Sequence, residues 1–258
     1  MSLFRRKKTL PAPVEGVPVE VLWRVDQYTG QSAVRVQATQ LETHEASSAA
    51  RRTLFEDWVR FLSTAETNIV DLDLVSRVPQ DLVDAASGQR HLRKLAVKWG
   101  PYRDLSALSA LRSLEELALG GATSVESLEP LTSLPVLSRL FVSQAHKADG
   151  AALGSLVQLR GRCFGNADLG SDKSVVLQDL RWVTSLNELR QLELPGTRLI
   201  DPDLTPLLEL PHLENLRLPL RRAYRKQVLE FAARSSAFVG VASDYEEHDA
   251  FVASTRHR

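Results

Sequence analysis

The stretch SLEELALGGATSVESLEPLTSLPVLSRLFV, residues 113 to 142, returns to leucine at fixed intervals and contains few residues capable of chemistry. It holds two copies of one pattern, in which a leucine is followed after two residues by a second leucine and after one more residue by leucine or valine. The two copies are Leu114, Leu117 and Leu119, then Leu137, Leu140 and Val142. Such self-similarity indicates a stack of similar structural units.

The same pattern recurs outside this stretch. The further copies are Ile69/Leu72/Leu74, Leu92/Leu95/Val97, Leu189/Leu192/Leu194 and Leu213/Leu216/Leu218. Copies that follow each other directly start 22 to 24 residues apart. Leu189 follows Leu137 by 52 residues, which fits one regular coil and one longer coil with Leu159 as the intervening start. In that irregular coil Arg162 takes the place of a buried leucine.

A unit of about 22 residues cannot bury its own leucines. Stacked units enclose them in one continuous core, and each buried side chain contributes roughly 1.5–3 kcal/mol. Because side chains alternate along a strand, the residues between the buried positions face outward from a ladder of parallel strands. The repeat is therefore predicted to be a scaffold that displays an outer sheet surface.

A second set of apolar positions completes each unit: Leu105/Leu108/Leu111, Leu128/Leu131/Leu134, Leu180/Val183/Leu186 and Leu204/Leu207/Leu210. Together the two sets resemble the leucine-rich repeat family, of the short bacterial internalin-like type, over about residues 69 to 220. The resemblance implies an α/β fold, a right-handed solenoid of about seven coils with a curved parallel β-sheet. It departs from the family at the ninth position of the coil, where the usual asparagine is replaced by Gly100, Ala122, Ala145 and Thr197.

The terminal segments are predicted to cap the solenoid, because exposed ends would present leucines to water. The predicted organisation is a flexible basic tail at 1–18, a β-hairpin and capping helix at 19–68, the repeats at 69–220, and a C-terminal cap and tail at 221–258. Apolar residues alternate on both sides of Thr29-Gly30, which predicts the hairpin. Leu54, Trp58, Phe61 and Leu62 have helical spacing, which predicts the capping helix. The basic amphipathic stretch 221–238 predicts a closing helix, with a surface-binding helix as the alternative.

Composition narrows the function classes. Lys plus Arg and Asp plus Glu number 32 each, which disfavours a polyanionic partner such as nucleic acid. A single cysteine, Cys163, excludes an intrachain disulfide and fits a reducing compartment. No run of 18 apolar residues and no secretory signal is found in the sequence, so we expect a cytoplasmic protein without membrane insertion. The oligomeric state stays open, with a monomer favoured.

The outward positions are the candidate working surface. The third position of successive coils reads Asp71, Lys94, Glu116, Arg139, Gly161, Gln191 and Asn215. Its first four residues alternate in charge, which predicts either a lateral ladder of ion pairs or a charge pattern complementary to a protein partner. The fifth position reads Asp73, Ala96, Ala118, Phe141, Cys163, Glu193 and Arg217. Its small central residues predict a shallow depression beside Phe141.

Aromatic and arginine side chains near this face are the predicted contacts, since these residue types dominate interface energetics. The predicted partner-binding residues are Lys94, Lys98, Trp99, Tyr102, Arg103, Glu116, Arg139, Phe141, Gln191, Glu193 and Arg217. The alternative for Trp99 and Tyr102 is that both fold back over the coil edge as core. A second possible contact loop, in the long coil, contains Asn166, Asp168, Asp172 and Lys173. The alternative there is a tolerated irregularity.

No motif for nucleotide binding, nucleophilic catalysis or a metal is found in the sequence, and no cofactor is expected. Cys163 is interpreted as an inert thiol. The favoured function is a non-catalytic protein-interaction module of adaptor, inhibitor or antitoxin-like type. Two alternatives are a self-associating structural protein and a small enzyme or effector with a site formed by Asp26, Tyr28 and Arg35 at the N-terminal hairpin.

Overall fold

The computed structural model describes residues 19–40, 47–148, 150–168 and 173–256. The predicted basic tail, residues 1–18, lies outside them. The described strands are β1 (Val21–Leu22), β2 (Ala33–Val36), β3 (Asp71–Arg77), β4 (Lys94–Trp99), β5 (Glu116–Leu119), β6 (Arg139–Ser143), β7 (Gly161–Gly165), β8 (Val175–Leu177), β9 (Gln191–Glu193), β10 (Thr197–Leu199) and β11 (Asn215–Arg217). Nine of these form one parallel sheet in chain order, while β8 and β10 pair with each other.

The register of the sheet places the repeated leucines side by side. Leu95 lies beside Leu117, and Leu117 lies beside Leu140. Arg162 takes the next place in this row, between Leu140 and Leu192. All of these side chains are buried, and the leucines of neighbouring coils form one continuous core. The predicted leucine-rich-repeat solenoid is therefore confirmed.

Each coil returns on the side opposite the sheet through a short helical turn. In the described residues these are α2 (Gln80–Ala86) and the one-turn 3-10 helices Ser106–Ala110, Glu129–Ser133, Ala151–Ser155, Arg181–Ser185 and Thr205–Glu209. Aspartates start several of them: the Asp104 carboxylate accepts a hydrogen bond from the Ser106 N–H at 2.8 Å, and Asp203 accepts one from Thr205 at 2.9 Å. Such side-chain caps satisfy N–H groups that a helix start leaves unpaired.

The N-terminal β-hairpin prediction is wrong. β1 and β2 pair in parallel, with Val21 opposite Arg35 and Leu22 opposite Val36, and β2 continues in parallel onto β3. The alternating apolar residues correctly identify the two strands, but alternation only determines which face each strand buries. β2 pairs with the free edge of β3, and β1 pairs with β2. The two strands therefore extend the parallel sheet, which begins before residue 69.

The helix α1 (Ser48–Thr64) covers the first coils. The Ser47 side chain accepts a hydrogen bond from the Ala50 N–H at 3.1 Å, which defines its start. Leu54, Trp58 and Leu62 are its buried residues, in agreement with the predicted apolar face. The helix packs against α2, so it shields the N-terminal end of the core from water.

The C-terminal end is covered by α3 (Arg222–Phe231) and α4 (Val239–Arg256). The predicted closing helix is present, with Tyr224, Val228 and Phe231 buried. The stretch after it, which was expected to be a tail, is helical as far as Arg256 because it belongs to α4. The Tyr245 hydroxyl of α4 donates to the Arg221 carbonyl at 2.7 Å, and α4 packs against β11. No helix in the described ranges is both long and apolar enough to cross a bilayer.

Candidate interaction surface

The outward charges of the sheet meet sideways in ion pairs. Lys94 Nζ lies 3.1 Å from Glu116 Oε1, and Arg139 contacts the same carboxylate from the other side. This is the lateral ladder that the alternating third position predicts. Exposed pairs of this kind each contribute about 0–1 kcal/mol. The main effect of the ladder is that its charges are neutralised within the sheet.

The fifth position carries two further pairs at the ends of the sheet. Arg35 Nε lies 3.2 Å from Asp73 Oδ2, and Arg217 Nη1 lies 4.0 Å from Glu193 Oε2. Gln191 donates a hydrogen bond to the Glu193 carboxylate at 2.7 Å. The predicted contact residues Gln191, Glu193 and Arg217 therefore engage one another on the surface.

Partial burial on this surface changes the pKa of two aspartates on β3, Asp71 and Asp73. Burial raises the pKa of Asp71, and nearby Lys94 opposes that rise. Burial also raises the pKa of Asp73, against the lowering effect of its hydrogen bond from Arg35. Since desolvation is the larger cause at both sites, each carboxylate is less favourable in the folded protein than in the unfolded chain.

We expect Asp71→Asn to leave stability within about 0.5 kcal/mol of the wild type at pH 7, with any change a gain. A pKa that is raised in the folded state contributes stability at low pH, and this contribution is lost as the pH rises through the raised value. The wild type should therefore gain on the variant as the pH falls from 7 to 4. Melting temperatures across this range test it, with Glu126→Gln as an exposed control. A variant that is clearly less stable at pH 7 would show that the Asp71 carboxylate is net favourable.

Between the charged ends lies a shallow, weakly polar floor. Ala96, Ala118 and Phe141 are adjacent in register, and each is half-buried. Cys163 follows Phe141 on the next strand. Burial raises the pKa of the Cys163 thiol to about 12, so it stays protonated at neutral pH. This agrees with its interpretation as an inert thiol, because the thiolate is the reactive form.

A groove runs across the carboxyl ends of β3 to β6. Its volume is about 380 Å³, and we call it the Trp99 groove. It is lined by Arg77, Trp99, Gly100, Pro101, Gly121, Thr123, Ser124 and Gln144. Trp99 is 46% exposed and pairs in register with Arg77. Gly121 has φ +53°, and a Cβ there would lie 2.7 Å from the Trp99 Cβ, so the glycine makes room for the indole.

Tyr102 does not belong to this surface, contrary to the prediction. Its side chain is fully buried, and its hydroxyl donates to the Gly120 carbonyl at 2.6 Å. Burial raises its pKa well above the ordinary value. The chain turns at Pro101 so that Tyr102 fills the coil edge while Trp99 stays outside. The folded-back alternative therefore holds for Tyr102 and fails for Trp99. Lys98 and Arg103 are exposed, as predicted.

The second predicted contact loop is only partly exposed. Asn166 is 6% exposed, and its amide donates to the Lys173 carbonyl at 2.6 Å while its Oδ1 accepts from the Asp168 N–H at 3.0 Å. It holds the two sides of the loop together, so its prediction as a contact residue is wrong. Asp168 and Lys173 are exposed. Asp172 lies outside the described residues.

The polar residues of the enzyme alternative have separate partners. Asp26 pairs with Arg24 at 3.1 Å, Arg35 pairs with Asp73, and the Tyr28 hydroxyl accepts from the Asn68 N–H at 3.2 Å. They do not converge on one point. The described part of the chain contains no group of three or more metal-ligating residues.

Seven of the eight lining residues of the Trp99 groove were not predicted contacts, among them Arg77, Gly121 and Gln144. A signal for them existed in the departure from the family at the ninth position of the coil. Arg77 occupies that position in the coil that starts at Ile69, and Gly121 and Gln144 each directly precede it in a later coil. These residues lie where the strands end, so they border the surface without being on the alternating ladder.

No protein-family model and no curated protein matches the chain. Among solved structures, an internalin (inlF) of Listeria monocytogenes is 20% identical with a TM-score of 0.49, covering 58% of this chain and 48% of its own. Internalin C2 (inlC2) of the same organism is 19% identical with a TM-score of 0.48, covering 65% and 70%. The plant peptide hormone receptor RGFR1, solved in complex with RGF2, is 15% identical with a TM-score of 0.44, covering 58% and 24%. The chain thus spans about half of the inlF structure, and these likenesses concern the fold alone.

Proposed function

We propose that this chain is a non-catalytic protein-binding module that holds its partner on the outward face of the strand ladder and at the adjoining Trp99 groove. The observation that carries the proposal is the 46% exposure of Trp99 at the carboxyl end of β4, on a sheet whose outward face carries the half-buried Phe141 and small residues. A folded chain gains stability by covering an indole. One left in water at the mouth of a groove is typical of an interface anchor.

The scaffold supports this proposal because the repeat leucines are buried between stacked coils. The outward residues of the sheet are therefore left available for a partner. The ladder charges neutralise each other, so they add little net attraction and instead define a polar rim. The role that fits a rigid sheet surface without a reaction centre is that of an adaptor, inhibitor or antitoxin-like partner. The protonated thiol of Cys163 is compatible with the reducing cytoplasm of a bacterium, the setting we propose.

We expect Trp99→Ala combined with Phe141→Ala to weaken capture of the partner by about 30-fold or more, because a single anchor aromatic contributes about 2 kcal/mol or more. The melting temperature should change little, since neither side chain is fully buried. Affinity capture from the native host with quantitative mass spectrometry compares the variant with the wild type.

Phe251→Ala is the matched control, because Phe251 is also 46% exposed but belongs to the C-terminal helix α4 and not to the strand ladder or the Trp99 groove. Its capture profile should equal that of the wild type. If the double variant unfolds, the two aromatics belong to the core. If it folds and retains every partner, the interface lies elsewhere.

A further inference from the structure

Three cations lie in or next to the strand ends that form the Trp99 groove. In the described residues, Arg77, Lys98 and Arg103 have no carboxylate within ion-pair distance, whereas Lys94 and Arg139 of the ladder both contact Glu116. Arg77 and Lys98 flank Trp99, one beside it in register and one before it on β4. Lys98 acts electrostatically on the Asp73 carboxylate without forming an ion pair with it, and Asp73 is already paired with Arg35.

The two ends of the groove differ in charge. Its cationic end lies at β3 and β4, and at its other end Gln144 donates to the exposed Asp168 carboxylate at 3.2 Å. From Arg77 to Gln144 it crosses three inter-strand spacings of about 4.8 Å each, or about 14 Å, which accommodates about four residues of an extended chain. Gly121 and Pro101 add little side-chain bulk to its lining, and Thr123 and Ser124 add hydroxyl-bearing residues.

We propose that the Trp99 groove receives a short, extended, acidic segment of the partner protein. Its carboxylates pair with Arg77 and Lys98, and an adjacent apolar side chain packs on the Trp99 indole. The inference rests on the proposed protein-binding function and adds the chemistry of the recognised segment. Charge complementarity supports it, since charged groups at an interface govern specificity and the rate of encounter.

The test uses a phage-displayed library of random ten-residue peptides selected on the full chain. The expected result is enrichment of peptides in which Asp or Glu stands next to an aliphatic or aromatic residue. Against the variant Arg77→Glu with Lys98→Glu, the acidic enrichment should disappear or change to Lys and Arg. Wild-type affinity for the selected peptides should exceed that of the variant about tenfold or more at low salt, and the difference should shrink in 1 M NaCl, where the screening length is about 3 Å.

The matched control is Arg222→Glu with Lys226→Glu on α3, which changes the net charge equally at exposed positions remote from the sheet surface. It should select the same acidic peptides as the wild type. Selection of basic or uncharged peptides, an acidic preference that survives the Arg77/Lys98 reversal, or no enrichment at all would overturn the inference.

The two proposals fail in different ways. If Trp99→Ala with Phe141→Ala abolishes partner capture and the Arg77/Lys98 reversal does not, the binding function stands and the acidic segment is wrong. If neither variant affects capture, both proposals are wrong.

Discussion

Replacement of Trp58 by alanine is expected to lower the free energy of unfolding by about 3–5 kcal/mol, the usual cost of deleting a large buried aromatic side chain. Trp58 is fully buried on the inner face of α1, where its ring meets Phe61 edge-on at a centroid distance of 5.8 Å. Its indole N–H donates to the Trp23 carbonyl at 2.9 Å. The variant therefore leaves a cavity and an unpaired carbonyl at the same place.

The consequence extends beyond one residue because α1 covers the end of the solenoid. A cap that detaches exposes the leucines of the first coils, and in a repeat protein that loss propagates to the neighbouring coils. Urea unfolding followed by circular dichroism measures the effect. Trp58→Phe is expected to retain most of the packing and to lose the hydrogen bond, at a cost of about 1 kcal/mol for the bond itself.

Trp99→Ala provides the comparison for this variant, since it removes the same side chain from an exposed position. It should shift the urea midpoint little. If Trp58→Ala is as mild as Trp99→Ala, α1 is not a structural cap. The division between scaffold and surface would then be wrong.

Arg162→Met is expected to raise the free energy of unfolding by about 1–4 kcal/mol, the range found when buried ionic groups are replaced by apolar residues of similar size. Arg162 is 2% exposed in the row between Leu140 and Leu192, and none of its guanidinium nitrogens has a hydrogen-bond partner in the described structure. Its main compensation is the Trp182 ring, which lies 3.8 Å from the guanidinium carbon. A cation–π contact contributes about 2 kcal/mol when desolvated, less than burial of an ion costs.

The cost of burying the charged Arg162 side chain should be the same at pH 6 and pH 8. Burial lowers the pKa of Arg162 to about 9, so the group is still charged at both values. Because the pKa of Arg162 is lower in the folded state, the cost of burying its charge is constant below about pH 9 and falls as the pH rises above that value. The advantage of Arg162→Met should accordingly narrow in strongly alkaline solution. An equal or lower stability of the variant at pH 7 would show that the contacts with Trp182 and Phe164 offset the burial of the charge.

Gly150 explains how the core accommodates so long a side chain. The residue before the one-turn helix is leucine at 105, 128, 180 and 204, but glycine at 150. A Cβ built on Gly150 lies 3.3 Å from Leu177 Cδ2 and 3.5 Å from an Arg162 nitrogen, so we expect the outer atoms of a leucine there to crowd Leu177 and overlap the guanidinium. Gly150→Leu alone should destabilise the protein by about 1–3 kcal/mol through overpacking.

Arg162→Leu removes that overlap, and the pair of leucines restores the pattern of the other coils. Combined with Gly150→Leu, it should give a protein more stable than either single variant. The coupling measured in a double-mutant cycle should lie between about 0.5 and 3 kcal/mol, as for residues in contact. Additive effects would mean that the two positions do not share one space.

Much of the fold follows from local periodicity. The spacing of the leucines determined which side chains are buried, that Leu95, Leu117 and Leu140 share one row, and that Lys94, Glu116 and Arg139 meet on the opposite face. These properties depend on the geometry of a strand and on the length of one coil, both of which the amino-acid sequence carries directly. The irregular Arg162 was identified in the same way.

The tertiary structure alone decided what periodicity does not contain. The same alternating pattern serves a hairpin or two parallel strands, and the free edge of β3 selected the parallel arrangement. Two aromatics three residues apart, Trp99 and Tyr102, separated into surface and core because the chain bends at Pro101 between them. The groove beside Trp99 is completed by Gly121 and Gln144, which come from the next two coils along the chain. Side-chain alternation is local, whereas edges, space and neighbours are created only when the coils stack.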